Sequence, residues 1–316
     1  MNRSELPLPA SRAARLRKML QGPGLSFIME AHNGLSARIV EEAGFAGIWA
    51  SGLAISSQFG VRDNNEDSVA EDAELGLLLL ADGMGGYNAG EIASGIASAT
   101  VVDVVRRQWP QLKHGQLDSD SGYSVESLLL REALENAHTT IYQVAQSQPQ
   151  CAGMGTTAVV CLLHDDRMSI AYAGDSRLYR FRKGKLVQIT RDHSLVEELV
   201  ARGHYSREDA MQLVRRNIVT RALGVEPTVE VDLIEEGLEP GDVVLLCSDG
   251  LTDMVDDEGI RLTLAEFADN LDTAADALIA KANERGGRDN VSVVLARVDA
   301  PFPHKRPWYE RLIEWF

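Results

Sequence analysis

Four aspartates of this sequence stand next to apolar runs, beside a glycine or a short polar turn, and together they could hold metal ions. They are Asp82 in LLLLADGMGG, Asp175 in IAYAGDSR, Asp249 in VVLLCSDG and Asp289 just before NVSVVLARV. A charge at the end of a buried strand is costly unless it is paired, hydrated or bound to a metal. One such aspartate usually caps a turn or a helix, but four of them, with RDNNED upstream, favour a common site.

Carboxylates gathered at strand ends would form a site of hard oxygen ligands. Mg²⁺ and Mn²⁺ prefer carboxylate, carbonyl and water ligands. Two such ions about 3.5–4 Å apart can turn a bridging water into a hydroxide nucleophile and clamp a phosphoryl group. The sequence contains no HExxH, CxxC or GxSxG motif, and DGMGG is not followed by the GK[ST] of a P-loop. Zinc hydrolases, serine hydrolases and P-loop NTPases are therefore disfavoured.

Apolar patterns predict the elements that would carry these aspartates. Strands are predicted over residues 75–83, 157–163, 168–174, 178–182, 186–189, 229–235, 242–248 and 290–298. Helices are predicted over residues 89–109, 125–146, 192–223 and 271–285. Long helices beside many adjacent strands indicate an α+β sandwich from about residue 55 to about residue 300.

Short acidic and glycine-rich motifs recur along the same part of the chain. They are RDNNEDS at 62–68, DGMGG at 82–86, GEIAS at 90–94, GMGTT at 153–157, AGDSR at 173–177, TRDHS at 190–194, SDGL at 248–251 and GRDN at 287–290. In this order they resemble the type 2C (PPM) family of protein phosphatases, in its bacterial form. The resemblance covers about residues 60–298. It implies a four-layer α-β-β-α sandwich of two antiparallel sheets flanked by helices.

The resemblance also implies a role for each matching position. Two Mn²⁺ or Mg²⁺ ions are expected, and a third as in bacterial members. The implied metal ligands are Asp82, which bridges two ions, the carbonyl of Gly83, Asp249 and Asp289, Glu66 and Asp67 acting directly or through bound water, and Asp175 at the third ion. Arg62 is expected to hold the substrate phosphate, which suits a guanidinium fork. The implied catalytic residues are thus Arg62 and Asp82.

The implied reaction is direct hydrolysis of phosphoserine and phosphothreonine in proteins, without a phosphoenzyme. Water activated by the two metals attacks phosphorus, and charge neutralisation lowers most of the barrier. Eukaryotic members carry a histidine in the glycine-rich turn that can act as general acid, whereas this chain has Met84 there. A metal-bound water is therefore the implied proton donor.

The first 65 residues have a different character. LSFIMEA, SARIVEEAG and FAGIWASG predict a strand, a helix and a strand, which is a βαβ unit. This stretch resembles the start of phosphoenolpyruvate mutase, of the isocitrate lyase superfamily. Its substrate-site positions match Trp49, Ser51, Gly52, Leu53 and Asp63. One βαβ unit cannot close an eight-stranded barrel, and the aspartate pair that binds Mg²⁺ in that family is absent, so mutase activity is disfavoured.

These patterns divide the chain into three segments. Residues 1–53 are predicted to be a partial, mutase-like segment, an incomplete barrel that forms a βαβ-like appendage. Residues 54–300 are predicted to be the phosphatase domain, and residues 301–316 an amphipathic C-terminal tail. GVRDNNED fits both families, so the chain is a natural fusion, a recombinant chimera or a misassembled sequence.

Composition limits the partners and the compartment. The net charge of −16, from 47 acidic and 31 basic residues, argues against nucleic acid, whose phosphates need a basic surface. No apolar run of about 18 residues exists, so no transmembrane segment is predicted. Cys151, Cys161 and Cys247 lack the spacing of a disulfide framework or a metal site, which fits a cytoplasmic protein.

Three hypotheses follow for function. The first is an active phosphatase whose partners are phosphoproteins, the substrates of a Ser/Thr kinase. The second is a non-catalytic binding module of the same fold; such modules usually lack a metal carboxylate, whereas every expected carboxylate is present here. The third, and least favoured, is a phosphonate-pathway mutase or lyase activity of the N-terminal segment.

Overall fold

The computed structural model describes residues 28–30, 47–49, 64–86, 89–203, 205–214 and 218–302. The chain divides into two units, Met1–Ile55 and Ser56–Phe316. The predicted tail from residue 303 onward lies outside the described residues.

Two short strands of the first unit pair in parallel. Strand β1 (Ile28–Glu30) lies beside β2 (Gly47–Trp49), with Ile28 opposite Gly47. Parallel neighbours need a crossover connection, which the predicted βαβ unit would provide. The helix predicted between the strands is outside the described residues, as are Ser51, Gly52, Leu53 and Asp63.

The second unit contains the remaining strands and helices that the structure describes. Its strands are β3 (Asp67–Asp72), β4 (Leu77–Met84), β5 (Gly155–Thr156), β6 (Ala158–His164), β7 (Arg167–Ala173), β8 (Arg177–Arg182), β9 (Lys185–Gln188), β10 (Asp232–Gly237), β11 (Val243–Cys247) and β12 (Val293–Arg297). Its helices are α1 (Ala89–Gln108), α2 (Val125–Ser147), α3 (Leu195–Ala201), α4 (Arg207–Leu213), α5 (Asp249–Thr252), α6 (Asp257–Glu266) and α7 (Leu271–Glu284).

Two antiparallel sheets form the middle of the second unit. The first sheet has the order β10-β7-β6-β4-β3, with β5 paired to the end of β4. The second has the order β12-β11-β8-β9. Helices α1 and α2 share a buried core with the first sheet, and α5, α6 and α7 share one with the second. The predicted four-layer α-β-β-α sandwich is confirmed.

Strand β4 shows how one apolar run serves two layers. Successive side chains of a strand point to opposite faces, so Leu77 and Leu79 pack in the core with α1 and α2. Leu78 and Leu80 are also buried and face the second sheet, where β4 contacts β11 and β12. Burial on both faces explains why the sequence here is a continuous apolar run rather than an alternating one.

The helix predicted over 192–223 is wrong as a single element. The structure has two seven-residue helices there, α3 and α4. Gly203, at φ 73°, ends the first in the left-handed region, which glycine adopts without steric cost. The side chain of Ser206 then accepts a hydrogen bond from the Asp209 N–H and starts the second helix. Strand β3 and helix α6 were not predicted.

Candidate metal centre

The predicted aspartates lie at one edge of the sandwich because of the strand directions. In the antiparallel pair of β3 and β4, Asp67 is directly opposite Asp82. Asp175 follows the end of β7, two strands away in the same sheet. In the second sheet, Asp249 follows the end of β11 and Asp289 precedes β12. Because neighbouring strands run antiparallel, aspartates that are far apart in the sequence lie at the same edge of the sandwich.

Ser248 ties the two sheets to each other at this edge. Its hydroxyl donates a hydrogen bond to Asp67 Oδ2 at 3.1 Å and accepts one from the Ser292 N–H at 3.0 Å. Asp67 belongs to the first sheet, whereas Ser248 and Ser292 directly flank β11 and β12 of the second. These bonds therefore fix the position of the carboxylates of one sheet relative to those of the other.

Asn290 holds the start of β3 in place. Its Oδ1 accepts from the Glu66 N–H at 2.9 Å, and its Nδ2 donates to the Asn64 carbonyl at 2.9 Å. Its own N–H donates to Asp289 Oδ1 at 2.8 Å. One buried side chain therefore sets the position of the Glu66–Asp67 backbone relative to Asp289.

Replacing Asn290 with alanine is expected to lower the free energy of unfolding by about 2–3 kcal/mol, because two hydrogen bonds are lost and the Glu66 N–H keeps no side-chain acceptor. Catalytic activity should fall as well, since Glu66 and Asp67 would shift. Chemical denaturation and phosphatase assays check both effects. Asn136→Ala, on the exposed face of α2, is the control and should change stability by less than about 0.5 kcal/mol.

Glycines allow the backbone to approach closely beside Asp82. The Gly83 N–H donates to the Glu66 carbonyl at 3.0 Å, and a Cβ added to Gly83 would overlap the carbonyl oxygen of Gly90. The Ser94 hydroxyl donates to the same Glu66 carbonyl at 2.6 Å. A Cβ on Gly90 would lie 2.8 Å from the Glu66 carboxyl carbon. The DGMGG and GEIAS motifs thus pack against RDNNED with no space for larger residues.

Residues of the AGDSR and TRDHS motifs hold the backbone on either side of Asp175 in place. Arg177 donates two hydrogen bonds to Asp192, Nε at 2.9 Å and Nη2 at 2.7 Å. The Gly174 N–H donates to His193 Nδ1 at 3.0 Å. A fork of this kind adds geometric specificity, so the backbone around Asp175 is held on both sides.

Burial and, to a smaller extent, repulsion raise the pKa values of four carboxylates of the site. Burial, with a smaller contribution from Asp289, raises the pKa of Asp67 to about 6. Burial and then Asp192 raise the pKa of Asp175 to about 6. Burial, followed by the charges of neighbouring aspartates, holds the pKa values of Asp82 and Asp249 well above their usual range. The neighbours of Asp82 that act this way are Asp67, Asp249, Asp175 and Asp289.

The donor set fits divalent cations. Asp67 Oδ1 and Asp249 Oδ1 are buried and have no hydrogen-bond partner among the residues that the structure describes. Within the same residues, no lysine or arginine forms an ion pair with Asp67, Asp82 or Asp249. Buried carboxylates without a cation are costly, and hard cations favour oxygen ligands of this kind. Mn²⁺ or Mg²⁺ would remove the repulsion.

The raised pKa values predict how metal stabilisation depends on pH. The folded-state pKa values of Asp67 and Asp175, about 6, lie above the usual value of a free carboxyl. Their contribution to the stability of the metal-free fold is therefore fully present below about pH 4 and is lost as the pH rises through about 6. Metal competes with protons for the same oxygens. Adding Mn²⁺ should therefore raise Tm more at pH 8 than at pH 5, in thermal unfolding with and without metal. An equal rise at both pH values would contradict the arrangement.

The structure brings together most of the predicted site residues. Asp82, Gly83, Asp249, Asp289, Glu66 and Asp67 converge at this edge through the contacts above, and Asp175 is coupled electrostatically to Asp82 and Asp249. Arg62 lies outside the described residues. Sequence reasoning assigned no role to Ser248, Asn290, Ser94 or Thr157. All four lie within the motifs; Ser248 and Asn290 are next to an aspartate, and Ser94 is next to a glycine.

Thr157 is the clearest of these omissions. Its hydroxyl accepts from the Asp82 N–H at 3.2 Å and is hydrogen-bonded to the Ser176 hydroxyl at 2.7 Å. Its N–H donates to the Asp82 carbonyl at 2.8 Å. The backbone of Asp82 is thereby fixed on both its donor and its acceptor side.

Comparison with known proteins agrees with this architecture. A sequence model described as protein phosphatase 2C matches residues 57–283. The chain belongs to the protein phosphatase 2C family. The match confirms the predicted family and the predicted class of enzyme, a metal-dependent phosphatase. It begins close to the boundary between the two units at residues 55 and 56.

Individual phosphatase 2C relatives align over most of their own length. The serine/threonine phosphatase stp of Listeria monocytogenes is 38% identical over 242 residues, which cover 76% of this chain and 92% of that protein. The PstP catalytic domain in complex with two manganese ions has a TM-score of 0.63 and 37% identity, covering 76% of this chain and 94% of that one. PppA, described as a regulatory component of type VI secretion in Pseudomonas aeruginosa, has a TM-score of 0.61 and 34% identity, covering 74% and 91%.

The described helices contain no segment that is both long and apolar enough to span a membrane. The identity of residues 1–53 stays a prediction, since the family match starts after them.

Proposed function

We propose that this chain hydrolyses phosphoserine and phosphothreonine in proteins, by direct attack of water on phosphorus at the metal centre around Asp82. Membership of the phosphatase 2C family supports the reaction class, and the names of the relatives support the substrate class. The observation that carries the proposal is the pair of buried oxygens, Asp67 Oδ1 and Asp249 Oδ1, which lack hydrogen-bond partners in the described part of an acidic cluster.

The proposed ligands are the residues that converge at the sandwich edge. Asp82, whose pKa is raised by the charges of the four other aspartates, would hold the ions together with Asp249 and Asp289. The Gly83 carbonyl, Glu66 and Asp67 complete this group, and Asp175 would serve a third ion. When bound, Mn²⁺ or Mg²⁺ would activate the attacking water and neutralise charge on the phosphoryl group.

The remaining tasks belong to side chains that bind or orient. We assign Arg62 to the substrate phosphate, because its planar fork matches two phosphate oxygens. Met84 has no dissociable proton, so the proton for the leaving alcohol comes from solvent at the site. Asn290, Ser248 and Thr157 act as positioning residues, since they hold the backbone and the carboxylates rather than the substrate.

The proposed partners are phosphoproteins that a serine/threonine kinase modifies, and the proposed location is the cytoplasm. The three cysteines, Cys151, Cys161 and Cys247, are buried free thiols, and burial raises the pKa of Cys247 to about 12. Unpaired buried cysteines are common in reducing compartments, which supports a cytoplasmic site of action.

The proposal is tested by phosphate release from phosphothreonine and phosphoserine peptides by the full-length protein. Release should require Mn²⁺ or Mg²⁺ and stop on chelation. If well-folded, metal-loaded protein binds such peptides without turnover, the chain is a non-catalytic module instead. Phosphorus NMR with phosphonopyruvate should show no phosphoenolpyruvate, and its appearance would support the mutase alternative.

A further inference from the structure

A second group of side chains of types that can ligate a metal ion lies at the far end of the first sheet from Asp82. Glu126, His164 and Asp165 each bring one ligand atom to within 4.8 Å of the other two. His164 ends β6, a strand of seven residues whose other end follows Thr157. Such a strand spans roughly 20 Å, so this group is separate from the metal centre.

A two-residue turn between β6 and β7 places Asp165. Asp165 and Asp166 have φ values of 50° and 55°, the left-handed conformation of a type I′ turn, where asparagine and glycine are the usual residues. Asp165 Oδ2 would lie 3.5 Å from a Cβ added to Gly115. Asp166 has a different task, because its Oδ1 accepts from the Phe302 N–H at 2.6 Å. Asp165 and Asp166 therefore make different contacts, and substitutions can test them separately.

Glu126 is a fully buried acid in the first turn of α2. Its Oε1 accepts from the Gly115 N–H at 3.0 Å and lies 3.2 Å from His114 Nδ1. Its Oε2 is buried and has no hydrogen-bond partner among the described residues. A buried carboxylate oxygen without a donor is costly, and a cation beside it would offset that cost.

A serine network surrounds one ring nitrogen of His164. Nε2 lies 2.8 Å from Ser169 Oγ, which accepts from the Ser127 hydroxyl at 2.7 Å. Ser127 Oγ also lies 2.6 Å from Glu235 Oε1. With a metal ion at Nδ1, the ring proton would be on Nε2, where Ser169 Oγ can accept it.

His164 Nδ1 is the second orphaned atom of the group. The residue is 9% exposed, and Nδ1 has no hydrogen-bond partner in the part of the chain that the structure describes. Nδ1 lies 3.9 Å from Asp165 Oδ2. A buried ring nitrogen that makes no hydrogen bond is costly, and a positive ion between Nδ1 and the carboxylates would offset that cost. Metal-ligating histidines typically donate their other ring N–H to a neighbouring group, and Ser169 Oγ is in place to accept it from His164 Nε2.

We propose that Glu126, His164 and Asp165 bind one divalent transition-metal ion, for which Zn²⁺ is the best match. One imidazole nitrogen and carboxylate oxygens suit Zn²⁺, with water in the remaining position. A cavity of about 500 Å³, lined by His164, Asp165 and Trp109 among others, gives the ion access from solvent. The ion would fasten the start of α2 to the turn between β6 and β7. The proposal is independent of the phosphatase function.

The test compares the Zn²⁺ content of full-length variants after dialysis against micromolar free Zn²⁺, measured by plasma mass spectrometry. Because the metal centre around Asp82 is also expected to bind cations, the test depends on the difference in Zn²⁺ content between wild type and each variant. Wild type should hold one more Zn²⁺ per chain than Asp165→Asn, whose affinity at this site should fall at least about 10-fold. Asparagine is favoured in left-handed turns, so Asp165→Asn should fold and keep its Mn²⁺-dependent phosphatase activity.

Asp166→Asn is the matched control, since it removes the same charge from the same turn and should keep the wild-type Zn²⁺ content. Glu126→Gln, which preserves the shape of the buried side chain, should lose the ion as Asp165→Asn does. Equal Zn²⁺ content in wild type and Asp165→Asn would overturn the proposal. An equal loss in Asp166→Asn would overturn it too, because the effect would then follow the charge of the turn and not a ligand atom.

Discussion

Replacing Asp82 with asparagine is expected to lower kcat on a phosphopeptide about 1000-fold while raising the Tm of the metal-free protein. A metal centre contributes several kcal/mol of charge stabilisation in the transition state, and about 4 kcal/mol corresponds to three powers of ten in rate. Asp82 is the carboxylate that the other four aspartates of the site all act upon, so its loss disturbs every position in the cluster.

The gain in stability has the same physical origin. An amide in place of the half-buried Asp82 carboxylate removes its repulsion with Asp67, Asp249, Asp175 and Asp289. Without metal at pH 8, this should add about 1–2 kcal/mol to the free energy of unfolding and raise Tm by several degrees. Activity and stability would then change in opposite directions, as at sites built for function.

Asp276→Asn, on the exposed face of α7, is the control for this experiment. It makes the same chemical change without altering the cluster and should leave kcat and Tm unchanged within error. A variant Asp82→Asn that retains wild-type activity would contradict the assignment. One that loses activity and also unfolds at a lower temperature without metal would contradict the electrostatic account.

Gly83→Ala is expected to cost more than about 4 kcal/mol of stability and to abolish metal-dependent activity. The added methyl group would overlap the carbonyl oxygen of Gly90, and the Glu66 carbonyl is also within contact. Backbone atoms cannot rotate away as a side chain can, so α1 or the start of β3 would have to move. Losses above about 4 kcal/mol are exceptional and arise from mechanisms of this kind. Denaturant unfolding and peptide dephosphorylation would measure the two effects.

Gly95→Ala provides the matched comparison within α1. A Cβ at Gly95 would meet no atom within 4 Å, and the position is exposed and helical. Alanine there should stabilise the protein by about 0.5–1 kcal/mol, because glycine has the lower helix propensity. If both variants were equally stable, the close packing of Gly83 against Gly90 would not exist in solution.

Much of the fold could be predicted because the elements that carry the site are strongly patterned. The apolar runs 77–81 of β4 and 243–247 of β11 are followed within two residues by an aspartate that precedes a glycine. Both the strand and its charged end could therefore be predicted. Strand β3 is not predicted from the sequence, because DSVAED has charged residues at both ends and few apolar ones. The helical pattern over 192–223 was overextended, since Gly203 and the cap at Ser206 interrupt it.

The hydrogen bonds that position the site are harder to predict from the sequence than its carboxylates are. Ser248 and Asp67 are 181 positions apart in the chain, and Asn290 is 224 positions from Glu66. No local pattern specifies such pairs, because they depend on how two sheets stack. The aspartates could be found because a charge at the end of an apolar strand needs an explanation, whereas a serine or asparagine there is ordinary.

Crystals of the full-length protein equilibrated with Mn²⁺ would test the central assignment most directly, by anomalous scattering at the manganese edge. The account predicts two peaks about 3.5–4 Å apart, both in contact with Asp82 and at least one with Asp249 or Asp289. Anomalous density that is absent from this edge, at a Mn²⁺ concentration that supports phosphate release, would contradict the account.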